Sequence, residues 1–103
     1  MAKGYWIALV EVKNPDGYKN DYVAGLPAAL SKFGGKYVTR GGQTETVEGA
    51  VKSRVVVIEF PSYQAAMDCY RSPEYAGLKA ARMANADADI VVVEGYDGPQ
   101  PGG

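Results

Sequence analysis

Arg54-Val55-Val56-Val57-Ile58-Glu59-Phe60-Pro61-Ser62 decides the fold. The run is β-branched and aromatic and is apolar on both parities of a strand, which predicts a strand in the interior of a sheet. Pro61 stops it. Ser62 supplies a capping hydroxyl for a helix through Arg71, with Tyr63, Met67 and Tyr70 at helical spacing on one side. Ser72-Pro73-Glu74 repeats the start signal: a capping hydroxyl, a proline at the first helical position and a carboxylate at the positive end of the helix dipole. A second helical segment is expected to about Ala84.

Outward from this stretch, Tyr5 to Val12 is a strand apolar on both parities, with Tyr5, Ile7 and Leu9 on one face and Trp6, Ala8, Val10 and Val12 on the other. Asn14-Pro15-Asp16-Gly17 breaks the chain. Tyr18, Tyr22, Leu26, Leu30 and Phe33 then trace one helical stripe, predicting a helix from about Tyr18 to Phe33 with a kink at Pro27, ended by Gly34-Gly35. Lys36 to Arg40 reads as a second strand, and Gly41-Gly42 before Gln43-Thr44-Glu45-Thr46-Val47-Glu48 suggests a short polar edge ribbon. Ile90 to Tyr96 reads as a last buried strand. The order βαββαβ is that of a ferredoxin-like α+β sandwich: a four-stranded antiparallel sheet, strand order last, first, third, second, with helices on one face. Its other face has no cover within the chain. At about 25 cal/mol per Å² of apolar area, an uncovered sheet face favours association, and a homodimer through the sheet face is the simplest partner.

The chain has 103 residues, 47% hydrophobic and 22% charged, with a formal net charge of −1. That is enough for a single domain over 1–96; the Pro- and Gly-rich 97–103 reads as a flexible tail. The balanced charge lacks the basic excess of a phosphate-binding surface, so no nucleic-acid partner is expected. There is no histidine and one cysteine, Cys69. Imidazole metal sites, His-based triads and disulfide scaffolds are thereby excluded, and neither a metal nor a cofactor is implied. The N-terminal apolar run stops at Glu11, short of a signal-peptide core or membrane span, which predicts a soluble, cytoplasmic chain with no membrane partner.

Gly34-Gly35-Lys36-Tyr37, Arg40-Gly41-Gly42, Val47-Glu48-Gly49, Phe60-Pro61-Ser62, Tyr70-Arg71-Ser72-Pro73-Glu74-Tyr75 and Arg82 occur together in one order and spacing over Tyr5 to about Tyr96. In this the chain resembles the domain-of-unknown-function 1330 family, a branch of the dimeric α/β-barrel superfamily. The resemblance implies a ferredoxin-like protomer and a dimeric α/β-barrel assembly, but no particular reaction. Wider relatives include cofactor-independent monooxygenases of polyketide quinols, muconolactone-type isomerases and haem-dependent enzymes. This chain lacks the histidine of the haem branch, and it carries Cys69 where an aromatic residue commonly precedes the Tyr70 equivalent.

Two clusters are candidates for chemistry. The strand order brings Glu11, Arg54 and Arg40 to one sheet edge, where the arginines can hold a substrate carboxylate or enolate with Glu11 as counter-charge or base; an ordinary cross-strand ion pair is the competing reading. Glu59 and Glu94 fall at the opposite edge, too far apart to share a proton. Tyr22, Tyr70 and Tyr75, with Arg82 nearby, can line a polar cavity between helices and sheet; alternatively the tyrosine hydroxyls simply reach solvent at the rim. Cys69 reads as a buried small hydrophobe. The candidate ligand-binding residues are therefore Tyr22, Arg40, Arg54, Tyr70, Tyr75 and Arg82, with no catalytic residue assigned. They suit a cofactor-independent enzyme acting on a small aromatic or enolic acid, or a non-catalytic dimeric module that binds a small ligand.

Overall fold

In the computed structural model, which describes residues 2–102, side-chain alternation along β1 (Gly4–Val12) orders the molecule. Trp6, Ala8 and Val10 are buried beneath the helices, while Tyr5, Ile7 and Leu9 turn to the opposite face and stay half-buried. β1 pairs antiparallel with β3 (Arg54–Phe60), from Gly4 opposite Phe60 to Val10 opposite Arg54. On its other side it pairs with β4 (Ala86–Glu94), from Gly4 opposite Glu94 to Val12 opposite Ala86. β2 (Lys36–Arg40) completes the order β2-β3-β1-β4. The four-stranded antiparallel sheet with helices on one face follows from the alternation and the βαββαβ order.

The barrel expectation is overturned. The sheet is open, with β2 and β4 as separate edges that do not pair. Four strands, each turned about 20–25° from its neighbour, cannot curl far enough to meet and still enclose side chains. The core lies instead between the sheet and a single helical layer, and the molecule is only 17 Å through its thinnest dimension.

The first helix also departs from the single kinked element expected over Tyr18–Phe33. It is assembled from α1 (Pro15–Gly17), a π-helical turn (Tyr18–Tyr22), a 3₁₀ turn (Val23–Gly25) and α2 (Leu26–Lys32). Pro27 has no N–H to continue the ladder, so it sits in the first turn of α2, where no donor is required. The upstream segment tightens to close on its own, with the Leu26 N–H donating to the Val23 carbonyl.

Gln43 to Glu48 forms no strand; the stretch after Gly41 is an exposed loop up to Arg54. Ser62 and Ser72 cap α3 (Tyr63–Tyr70) and α4 (Pro73–Asn85) by accepting from the Ala65 and Tyr75 N–H groups. α4 then passes straight into β4, which starts four residues before the apolar run that predicted it. Asn85 makes this junction: its carbonyl accepts from the Lys13 and Asn14 N–H groups at 2.9 and 3.0 Å, and its side-chain amide donates to the Ala81 carbonyl at 2.7 Å. Ala86-Asp87-Ala88-Asp89 has weak strand propensity, but pairing with β1 recruits it, the alanines facing the helices and the aspartates facing outward.

The outward face carries Ile7, Leu9, Val55, Val57, Val91 and Val93, with Val91 and Val93 exposed. Among the described residues no helix is long and apolar enough to cross a membrane.

Candidate anion-binding cavity

Trp6 stands at the centre of the helix–sheet layer. Its indole N–H donates to the Ala66 carbonyl at 2.8 Å, and its ring meets Phe60, Tyr70 and Tyr75 at centroid distances of 5.1, 5.7 and 5.0 Å. Beside this aromatic block a slot opens between sheet and helices, with side chains from all four strands along it. Its apolar walls include Ala8, Val10, Val56 and Ile58 from the sheet and Leu26 from α2. Its polar walls are Tyr18, Tyr22, Tyr37, Arg40, Arg54 and Arg82. Inner free space is about 20 Å³, on the scale of one water, within about 440 Å³ of space between atoms that opens to solvent. A ligand larger than a few atoms must therefore enter from the open side and displace side chains at the mouth.

The six residues expected at a site divide here. Tyr22, Arg40, Arg54 and Arg82 line this one cavity. Tyr75 stands behind its wall and reaches it only through the buried Tyr22–Tyr75 hydroxyl pair, 2.8 Å between oxygens. Tyr70 does not line it: its ring packs edge-on to Trp6, with the Lys79 ammonium over it at 5.1 Å. Glu11, expected beside the arginines, faces the other side of the sheet, where it accepts hydrogen bonds from the Ser53 N–H and hydroxyl. Arg54 opposes Val10, one residue before Glu11, and alternation sends the two charged groups to opposite faces.

Two backbone irregularities bring the parts together. Tyr37 opposes Ile58 and Arg40 opposes Val56, with an extra residue, Val38, between them. In a regular strand, side chains three residues apart point to opposite faces; this bulge turns both Tyr37 and Arg40 toward the helices. Arg40 then lies over the Tyr37 ring, 5.0 Å from its centroid. In the helical layer, the π turn places both Tyr18 and Tyr22 inward with ring centroids 5.3 Å apart, and Arg54 lies over Tyr18 at 5.7 Å. Gly41, at φ +69°, lets Arg54 pass close: a Cβ there would fall 2.3 Å from its Nη1. Trp6, Tyr18 and Tyr37 were not expected as site residues. Parity pointed to Trp6, but the bulge and the π turn leave no sequence signal of their own.

The cavity has an unbalanced charge. Ion pairs among the described residues include Lys3 with Glu59, Lys13 with Asp87, Lys32 with Glu74 and Lys52 with Asp89. Among the described residues no carboxylate pairs with Arg40, Arg54 or Arg82, and none lines the slot. Arg82 is 5% exposed. Its Nε, the Nε of Arg54 and the hydroxyl of Tyr37 are the buried side-chain polar atoms left without a hydrogen-bond partner among the described residues. All belong to this cavity. Unpaired buried donors are costly and rare in folded proteins, which sets this cavity apart from the rest of the core.

Burial pushes the Tyr22 phenol far above its ordinary range, and the neighbouring Tyr75 adds to the shift. Tyr75 and Tyr37 are raised for the same first reason, loss of water. These phenols stay protonated, which removes them as bases. Cys69, outside the cavity and fully buried, is pushed up to about 12 by burial, which removes it as a thiolate nucleophile.

Fold and site together define a ferredoxin-like α+β protein with a cationic, carboxylate-free cavity between sheet and helices. The chain belongs to the DUF1330 family, a domain of unknown function, whose model matches residues 3–96. Among solved structures it is similar to the RPA0582 protein of unknown function from Rhodopseudomonas palustris, with 21% identity, a TM-score of 0.72, and coverage of 94% of this chain and 85% of that one. It is also similar to SnoaB, a cofactor-independent oxygenase from Streptomyces nogalater, at 12% identity and a TM-score of 0.62, covering 97% and 96%. A third, a hypothetical protein of Arabidopsis thaliana, shares 10% identity with a TM-score of 0.66, covering 97% and 91%. At these identities the likeness is one of fold. No curated protein matches the chain.

Proposed function

We propose that the chain binds a small aromatic or enolic acid in the helix–sheet cavity and holds it as its anion. The observation that carries this reading is Arg82: a buried guanidinium with no counter-charge among the described residues, in a cavity that no described carboxylate lines. An anion supplies the missing acceptor and charge at once. Tyr18 and Tyr37 offer ring surfaces for a flat ligand, and Tyr22, kept protonated by burial, offers a hydroxyl. Guanidinium groups that hold a carboxylate also stabilise an enolate, so an enolisable ligand would lose its proton to water more readily here than in solution. That is chemistry a cofactor-independent enzyme can use, and the fold it shares with a cofactor-independent oxygenase supports that use. The non-catalytic binding module needs only the first step.

Thermal melts against benzoate, salicylate, phenylpyruvate and related acids test the binding, because a ligand that prefers the native state raises the melting temperature. For phenylpyruvate and the other enolisable keto acids that bind, proton NMR in D₂O reads exchange at the carbon beside the ketone. Accelerated exchange supports the enzyme; binding with no acceleration leaves the module; no stabilisation by any acid removes both.

We propose in addition that a second copy packs against the outward sheet face. Ile7, Leu9, Val55, Val57, Val91 and Val93 form one apolar surface there, and no helix among the described residues lies over it. Such a surface is self-complementary under a two-fold axis and loses its contact with water when two open sheets meet face to face.

A further inference from the structure

Resting on the anion-binding reading for what enters, we propose that Arg40 is the gate of the cavity: it leaves the Tyr37 ring to admit a ligand and closes over the ligand afterwards. The inner free space is about 20 Å³, on the scale of one water, so no organic acid enters without the movement of a lining side chain. The lining side chains differ in what holds them. Trp6 is tied to the Ala66 carbonyl and Tyr22 to the Tyr75 hydroxyl, and both are buried, as is Arg82. Arg54 is hemmed in between the Tyr18 ring and the backbone at Gly41, where even a Cβ would collide with its guanidinium. Val23, Tyr37 and Ile90 are half-buried and pack against the core.

Arg40 alone among the described lining residues is exposed. It is the last residue of β2, an edge strand that pairs only with β3. Its guanidinium has no carboxylate partner among the described residues and rests on the face of Tyr37, 5.0 Å from the ring centroid. A cation–π contact at an exposed site is weak, and an exposed side chain changes rotamer within nanoseconds. The Val38 bulge directs Arg40 and Tyr37 to the same side of the sheet, so the fold sets the closed position while opening breaks one weak contact. An anion inside the slot offers the guanidinium a stronger partner than the ring, which draws the gate shut behind it.

Trp6 is the one tryptophan of the chain and lines the slot, so its fluorescence reports access. Acrylamide, a neutral quencher too large for the inner free space, reaches it when the slot opens. Its bimolecular quenching constant should rise about two- to fivefold in Arg40→Ala, the change in open population that one exposed cation–π contact controls. In stopped flow with benzoate at high salt, where steering by charge is screened, association and release should both quicken in the same variant. Arg40→Lys, which keeps the charge but loses the planar stack, should raise quenching part of the way. Circular dichroism establishes that each variant is folded. Quenching unchanged from the parent in Arg40→Ala, or slower association of benzoate with it, would overturn the gate and make Arg40 a fixed part of the wall. Faster quenching with no binding of benzoate, salicylate or phenylpyruvate would leave the gate standing and remove the anion-binding reading instead.

Discussion

Replacing Arg82 by methionine should make the ligand-free protein more stable. Arg82 is 5% exposed, its Nε has no acceptor, and no carboxylate among the described residues pairs with it. Leaving a buried donor unsatisfied costs about 1–3 kcal/mol, and the effective desolvation penalty of a buried ion is several kcal/mol. Methionine keeps an unbranched stem in the same packing and removes both costs. Water at the cavity mouth relieves part of the ion's penalty, so the expected gain is about 1–3 kcal/mol, and each kcal/mol moves the melting temperature of a domain this size by about 4–8 °C. Urea titration and thermal melts in buffer free of carboxylates measure it, and the same melts with added acid show whether the ligand response has gone. A variant less stable than the parent by 1 kcal/mol or more, still stabilised by acids, would refute the reasoning, because Arg82 would then have internal partners and no part in the site.

The Tyr22–Tyr75 pair should behave as a unit: Tyr75→Phe alone strands the Tyr22 hydroxyl and costs about 1–3 kcal/mol, whereas the double change to Phe costs less than the two single changes added, as a double-mutant cycle in denaturant would show. Both phenols are raised in the fold, so their contribution is fully present below the ordinary tyrosine value of 10.0 and is lost as pH rises above it. Stability should fall there by up to about 1.4 kcal/mol per pH unit for each tyrosine, and the double Phe variant should flatten that fall. Gly41→Ala forces a side chain onto a positive φ and against Arg54, so it should cost about 1 kcal/mol or more in denaturant melts and weaken acid binding in the same titration. Val91→Asp or Val93→Asp should convert a sedimenting pair to single copies with unchanged circular dichroism; a parent that sediments as one copy at all concentrations would discard the face-to-face pair.

Local chemistry determined most of the elements by itself. A proline after a β-branched run, serines placed to cap, and strands apolar on both parities give Arg54–Phe60, α3 and the start of α4, because each signal acts within a few residues. The same patterns identified Tyr22, Arg40, Arg54 and Arg82 as candidate ligand residues. Only the tertiary structure joined those four in one cavity and set Tyr70 and Glu11 outside it. The Val38 bulge turns Arg40 inward, the π turn aims Tyr18 and Tyr22, and pairing with β1 draws the weakly strand-forming Ala86–Asp89 into the sheet. Each depends on a partner distant in the chain: the register against β3, the helix break fixed by packing, the ladder of β1. The open sheet is likewise a property of the assembled strands, since closure depends on their number and accumulated twist and not on the residues of any one of them.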